Sequence, residues 1–517
     1  MVAQPDRAIR VAEDDELGRS PFIKRLVSAL IDKRTKQSTG VVVGIVGEWG
    51  SGKSSILNML DQEIRAEFSD ALVVRFDPWL VSGRDDLIQA FLKELISSIS
   101  PDGELKKNLK ALRKIFNRYS DALKVPAELA HPLAGKVIDI VQALFGPKPN
   151  LNSLRQELAK ILKDIAIPIV VLIDELDRVD DDEVHAVAQL VRAVMDFPSI
   201  SYVLAYDEKR VAQALGRGAG ETTDIQERGR AYLEKIVQFP ISLPVSSSSE
   251  LIALFQTQFD AVTADLEIDN DIFDEDRYKE LIEILFSGLL TTPRDIKRVV
   301  GMFHVIAGMV GLEVDCVDLL AFTALRAKAP NTATLISDKY YMYTNDGWHP
   351  ESIVVYLDEE NASIEKKRKK RINADERKAS VERLMGFLFP VLSNDRRPEV
   401  ITQRSLCNTR PLITVLRLGL IPGVISSRMV RDLLGKSAAE ITGFFQQNFQ
   451  SSDYAETWQS IWDTYLAEEF SDEEHLNFWS ALSDFSRKRD GHWLAKSDQM
   501  RNIVGEITDL FRQKFFA

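Results

Sequence analysis

Residues 41 to 54 read Val-Val-Val-Gly-Ile-Val-Gly-Glu-Trp-Gly-Ser-Gly-Lys-Ser. From Gly47 onward the run fits G-x-x-x-x-G-K-[ST], the loop that cradles nucleotide phosphates. Each residue type has a physical task. Gly47, Gly50 and Gly52 let the backbone turn its N–H groups inward, Lys53 reaches the β- and γ-phosphates, and the Ser54 hydroxyl ligates Mg²⁺. The expected nucleotide-binding set is therefore Gly47, Glu48, Trp49, Gly50, Ser51, Gly52, Lys53, Ser54 and Ser55. The apolar, β-branched run before the loop reads as a buried parallel strand, and Ile56, Leu57, Leu60, Ile64 and Phe68 after it recur at helical spacing. Strand, glycine turn and helix in that order place the anion at a helix N-terminus, where unpaired N–H groups and the dipole favour it.

Such a site needs an acidic partner at the tip of a second apolar strand. Ile169-Val170-Val171-Leu172-Ile173-Asp174-Glu175 supplies it. Asp174 is expected to hold Mg²⁺ through a water, and Glu175 to polarise the attacking water. An acidic turn that merely caps the next helix would use the same residue types. Asp180, Asp181, Asp182 and Glu183 already provide that cap just downstream.

Composition sets the frame around these motifs. At 517 residues the chain exceeds a single core, so at least two domains are expected. Its 45% hydrophobic and 28% charged residues are those of a globular chain. Two cysteines, Cys316 and Cys407, exclude a disulfide framework and a Cys-rich zinc site, and six histidines form no H-x-x-x-H pair. A cytoplasmic setting is the expectation. The net charge of −13 argues against a surface that coats nucleic acid. The first apolar segment, Phe22 to Ile31, is broken by Lys24 and Arg25, unlike a signal peptide. The segment Ala122 to Phe145 carries Lys124, Glu128, His131, Lys136 and Asp139, too many polar groups for a membrane span.

Along the chain, Ala71 to Phe76 reads as a strand, ended by Asp77-Pro78-Trp79. Leu87, Phe91, Leu95 and their neighbours form a buried helical stripe, residues 101–163 a helical insertion, and Ser201 to Asp207 another strand. Strands alternating with helices imply a mainly parallel sheet. Ser242 to Ser249, with Pro244 and four serines in a row, reads as a linker. Beyond it the pattern is helical.

Leu17-Gly18-Arg19, the glycine loop, Phe76-Asp77-Pro78-Trp79, Leu172-Ile173-Asp174-Glu175-Leu176-Asp177-Arg178, Val203-Leu204-Ala205-Tyr206-Asp207, Tyr232-Leu233-Glu234-Lys235-Ile236 and Thr292-Pro293-Arg294-Asp295-Ile296-Lys297-Arg298 occur in that order. Together they resemble the KAP family of P-loop NTPases over roughly residues 10 to 320. The resemblance implies the additional-strand class of P-loop folds, a helical insertion between the two nucleotide motifs and a mostly α-helical C-terminal region. The divisions expected are an NTPase core at 10–245 and a helical lid at 246–335, with a helical domain of unknown role at 336–517 beyond the reach of the resemblance. Glu175 would be the catalytic glutamate, and Gly18 with Arg19 would line the adenine side. Asp207 would sense the γ-phosphate, or be an ordinary polar strand end. The setting implied is a bacterial anti-phage defence cassette, of the phage-exclusion or Qat kind, with companion proteins as partners.

Arginines bear on catalysis because charge on a transferring phosphoryl group is commonly stabilised by one. Arg294 follows Thr292-Pro293, a good helix start, and its charge stands at the positive end of a dipole. Phosphate or a neighbouring carboxylate such as Asp295 would be its partner. Arg228, Arg230 and Lys235 are either surface charges or contacts to a second copy in a homo-oligomer. The run Lys366 to Arg371 is either a nucleic-acid contact or a solvated segment among acidic neighbours. Trp458, Trp462, Trp479 and Trp493 read as core or as a partner face. No guanine-reading N-K-x-D occurs, which favours ATP. The expectation is an ATPase using ATP and Mg²⁺, with a slow-turnover switch or scaffold and a nucleic-acid-stimulated motor as the competing readings.

Overall fold

The computed structural model describes residues 7–81, 167–194, 200–217, 224–268, 274–344, 378–392, 402, 404–420, 424–448, 454–467 and 470–487, with Lys160 and scattered positions of a helix between 87 and 98. The insertion at 101–163 (Lys160 apart), the segment 122–145, the basic run Lys366 to Arg371 and Trp493 lie outside the described residues. The chain divides into two compact units, one made of residues 4–257 and 291–297, the other of residues 258–290 and 298–517 with residues 1–3.

The first unit is built on a five-stranded sheet. A short hairpin, β1 (Ile31–Asp32) and β2 (Gln37–Ser38), precedes it. The sheet strands are β3 (Val42–Val46), β4 (Leu72–Phe76), β5 (Ile169–Ile173), β6 (Ile200–Tyr206) and β7 (Phe239–Ser242). They lie in the order β4-β5-β6-β3-β7, every pairing parallel. β6 therefore separates the glycine-loop strand β3 from the acidic strand β5, which is the additional strand that defines this class of P-loop fold.

β5 is apolar at every position because both of its faces are covered. Ile169, Val171 and Ile173 pack with Val184, Val187 and Val191 of helix Asp181–Val194 on one face. Val170 and Leu172 pack on the other with Ile23, Val27 and Leu30 of α1 (Ser20–Leu30) and Ile56, Leu60 and Ile64 of α2 (Lys53–Glu67). Buried hydroxyls pin the ends of the strands. Ser38 Oγ donates to Ile169 O at 2.7 Å and accepts from Ile169 N–H at 2.8 Å, while Ser201 Oγ donates to Leu30 O at 2.8 Å. The stripe after β4 is buried at Leu87, Phe91 and Leu95, and the rings of Phe76 and Phe91 meet edge-on at 5.3 Å.

One element differs from the expected linker. Ser242 closes β7, and Ser248 already begins the helix Ser248–Asp265. Pro240 argues against a strand in sequence, since it cannot donate to a ladder. It is accommodated because, among the described residues, β7 is the sheet edge and its one partner is β3.

The described part of the second unit is helical. Trp458 and Trp462 are buried with Phe445, Phe478 and Phe485, so these tryptophans are core. Near the start of this unit Arg277 is enclosed by two carboxylates. It reaches Asp315 at 3.4 Å and Asp318, and its guanidinium lies 4.9 Å from the Phe387 ring centroid. Asp318 is 1% exposed and also accepts from the Leu406 N–H at 2.8 Å. Truncating one member of a buried pair strands the other charge without solvent, at a cost of about 3–5 kcal/mol. Arg277→Ala should lose stability in that range in urea unfolding, and Arg277→Ala with Asp318→Asn should recover part of it.

Candidate nucleotide site

Within the first unit, the loop between β3 and α2 turns as its glycines require. Gly50 has φ +85° and Gly52 φ +97°, a region that side chains rarely adopt. A Cβ on Gly52 would come within 2.7 Å of the Arg19 guanidinium, and one on Gly47 within 2.5 Å of Ser51 Oγ. Lys53 opens α2, and its ammonium is buried. It donates to Gly47 O at 2.9 Å and Glu48 O at 3.3 Å, and pairs with Asp177 at 3.2 Å.

The opposite wall comes from the tips of β4 and β5. Phe76 pairs with Ile173, and Asp174 N–H donates to Phe76 O at 3.2 Å, so Asp77 and Asp174 end adjacent strands side by side. Asp174 is 5% exposed. Its carboxylate accepts from the Ser54 hydroxyl and from the Glu175 N–H, yet burial outweighs both and raises its pKa above the usual carboxylate range. Glu175 has φ +58°, a left-handed backbone unusual for a residue with a side chain. Burial also raises the Glu175 pKa, Arg178 opposes the shift, and Asp174, Asp77 and Asp177 add to it. Arg178 meets Glu175 Oε1 at 3.0 Å.

These groups line one cleft of about 450 Å³, together with Trp49, Gly50, Gly52, Ser55, Arg19, Arg294 and Lys297. Arg294 reaches it from the start of helix Pro293–Val310, where its guanidinium lies 4.3 Å from the Trp49 ring centroid. The other expected residues stand elsewhere. Gly47, Glu48, Ser51 and Asp207 line a second cavity behind the loop, which Arg19 also borders. Arg19 links the two sides by donating to Ser51 O at 2.8 Å. Gly18 makes the left-handed turn (φ +63°) before Arg19 and does not line the cleft. Asp207 caps the helix Glu208–Gly216, its carboxylate accepting from Arg210 N–H at 3.2 Å.

The KAP family P-loop domain matches residues 19–310, more than half of the chain. The chain belongs to that family. A relative is the Phage T7 exclusion protein of Escherichia coli (strain K12), 26% identical over 324 residues that cover 57% of this chain and 42% of that protein. The chain thus spans less than half the length of that curated relative. Among solved structures, the Aeropyrum pernix ORC1 protein in complex with DNA covers 72% of this chain and 94% of its own at 10% identity and a TM-score of 0.34. The ORC2 protein of the same organism (ADPNP-ADP complexes) covers 77% and 93% at 11% identity and a TM-score of 0.34.

Several cleft residues of this KAP domain had no role in the sequence reading. Asp77, Asp177 and Arg178 fall inside the family-like motifs, where sequence alone gives them no task. Lys297 lies three residues after Arg294, one helical turn on, and pairs with Glu16 at 2.9 Å. The segment Arg7 to Arg10 also lines the cleft. No pattern marks it, because main-chain groups hold it: Ile9 N–H donates to Ser55 Oγ at 3.1 Å and Ile9 O accepts from Asn58 at 2.7 Å.

Two variants probe the geometry. Asp207→Ala should lose about 1 kcal/mol of stability through the cap and leave nucleotide affinity within twofold. Asp174 tests the linkage. Its folded pKa is raised, so stability present at low pH is lost as pH rises through that pKa. Asp174→Asn should therefore be at least as stable as the parent at neutral pH, with a flatter pH dependence in thermal melts.

Proposed function

We propose that this KAP domain binds ATP with Mg²⁺ and hydrolyses it to ADP and phosphate. The observation that carries the reading is the juxtaposition in one cleft of a phosphate-gripping loop, the Ser54–Asp174 contact and Glu175 one residue further on. The donor set fits the metal, since a hydroxyl and a carboxylate are hard oxygen ligands of the kind Mg²⁺ takes. Ser54 would ligate it directly and Asp174 through a water; bound there, it would neutralise charge developing on the phosphates. Lys53 meets the β- and γ-phosphates. Glu175 accepts a proton from the attacking water, and Arg294 stabilises charge on the transferring group. Arg19, set in place by the left-handed turn at Gly18, serves the adenine side.

In this reading residues 246–335 act as a lid that responds to the nucleotide, and 336–517 transmits the change. The Phage T7 exclusion relative supports a role in bacterial anti-phage defence; companion proteins of a defence cassette are the partners this reading expects. One observation favours a second reading, a slow-turnover switch: the Arg178 ion pair ties Glu175 at 3.0 Å and must be exchanged before Glu175 can act on water.

Phosphate release tests both. The parent should turn over ATP, while Lys53→Ala and Glu175→Gln should each lose at least a hundredfold, Glu175→Gln retaining ATP binding. ATP binding with no turnover in the parent would leave the switch. The pH profile has a defined sign. Because Glu175 must be ionised and its pKa is raised, the rate should fall on acidification before an ordinary glutamate (about 4.3) would titrate. Arg178→Ala removes the opposing charge and should move that acid limb to higher pH.

A further inference from the structure

Trp49 occupies a position that the phosphate-loop motif leaves open, and it is 59% exposed. Its ring face carries the Arg294 guanidinium, 4.3 Å from centroid to carbon. The next residue completes the contact. Gly50 lacks the Cβ that would come within 2.9 Å of Arg294 Cβ and 3.1 Å of its Cδ, so the arginine stem lies directly on loop backbone. The base of the arginine is fixed as well. Asp295 accepts from the N–H groups of Thr291 at 3.2 Å and Thr292 at 3.1 Å, and Thr292 Oγ1 accepts from Asp295 N–H at 3.2 Å. This reciprocal cap sets the first helical turn and with it the direction in which Arg294 leaves.

We infer that Trp49 is a positioning residue for Arg294. The loop that grips the phosphates also carries the seat of the arginine that meets them. An arginine at the positive end of a helix is electrostatically misplaced and has large rotamer freedom. The π face of an indole offsets both, attracting the cation and restricting it to one plane. Phosphate capture and arginine placement are thereby joined through two adjacent loop residues. For turnover this inference rests on the ATPase reading; the stack itself does not.

Two measurements separate these levels. The emission of Trp49, taken as parent minus Trp49→Phe, should shift on Arg294→Met because the cation leaves the ring; an unchanged spectrum overturns the seat whatever the turnover. Next, Trp49→Ala should lower kcat about tenfold with the Kd for ATP within threefold, Trp49→Phe should restore most of the rate, and Trp49→Ala with Arg294→Ala should match Arg294→Ala alone. Multiplying losses in the double variant would show that the two side chains act independently, and a raised Kd with kcat intact would make Trp49 a nucleobase platform; either result overturns the inference. A parent without turnover sinks the ATPase reading, and the emission result then decides the seat.

Discussion

The cleft depends on holding one ammonium, that of Lys53, at the positive end of α2. Helix N–H groups and the lysine charge have the same sign there, a combination that is unfavourable until carbonyls and anions face it. Gly47 O, Glu48 O and Asp177 do so. The loop must fold back on its own carbonyls to reach the lysine, which places Gly50 and Gly52 in left-handed backbone and leaves a concavity at the start of α2. A triphosphate is the kind of anion such a concavity receives.

The sheet delivers the answering charges. All pairings are parallel, so strand tips share one edge, the usual place for ligands in open α/β sheets. The β4–β5 register sets Asp77 beside Asp174, and the chain then adds Glu175 and Asp177 within three residues. Crowded, partly buried carboxylates oppose folding at neutral pH, visible as the upward shifts at Asp174 and Glu175. Arg178 and Lys53 relieve part of that strain. The remainder is what a bound metal cation would satisfy, the pattern by which stability is traded for a functional site.

Much of this was legible because its signals are local. The apolar run of β5, the glycines of the loop and the stripe of Leu87, Phe91 and Leu95 each reflect one element's own burial or backbone geometry. β7 was hidden because Pro240 removes a ladder donor, and only its edge position makes that harmless. Asp207 ends an apolar strand as Asp174 does, so in sequence it reads either as a γ-phosphate sensor or as an ordinary polar strand end. The structure uses the two differently: Asp207 caps the next helix, while Asp174 faces Ser54 across the cleft. Polarity at a strand tip does not say which way the chain turns next.

By itself the sequence determined the strand–loop–helix unit, the acidic second strand, the parallel α/β class and the family. The first two are written in contiguous residues whose types answer a single physical demand, the class and the family in motifs that follow one another in order along the chain. The tertiary structure alone decided that Asp177 pairs with Lys53, that Lys297 pairs with Glu16, and that Trp49 meets Arg294. Trp49 and Arg294 are 245 residues apart in the chain (294 − 49). Such contacts have no local periodicity or spacing, because the free energy that selects them comes from packing the whole unit at once.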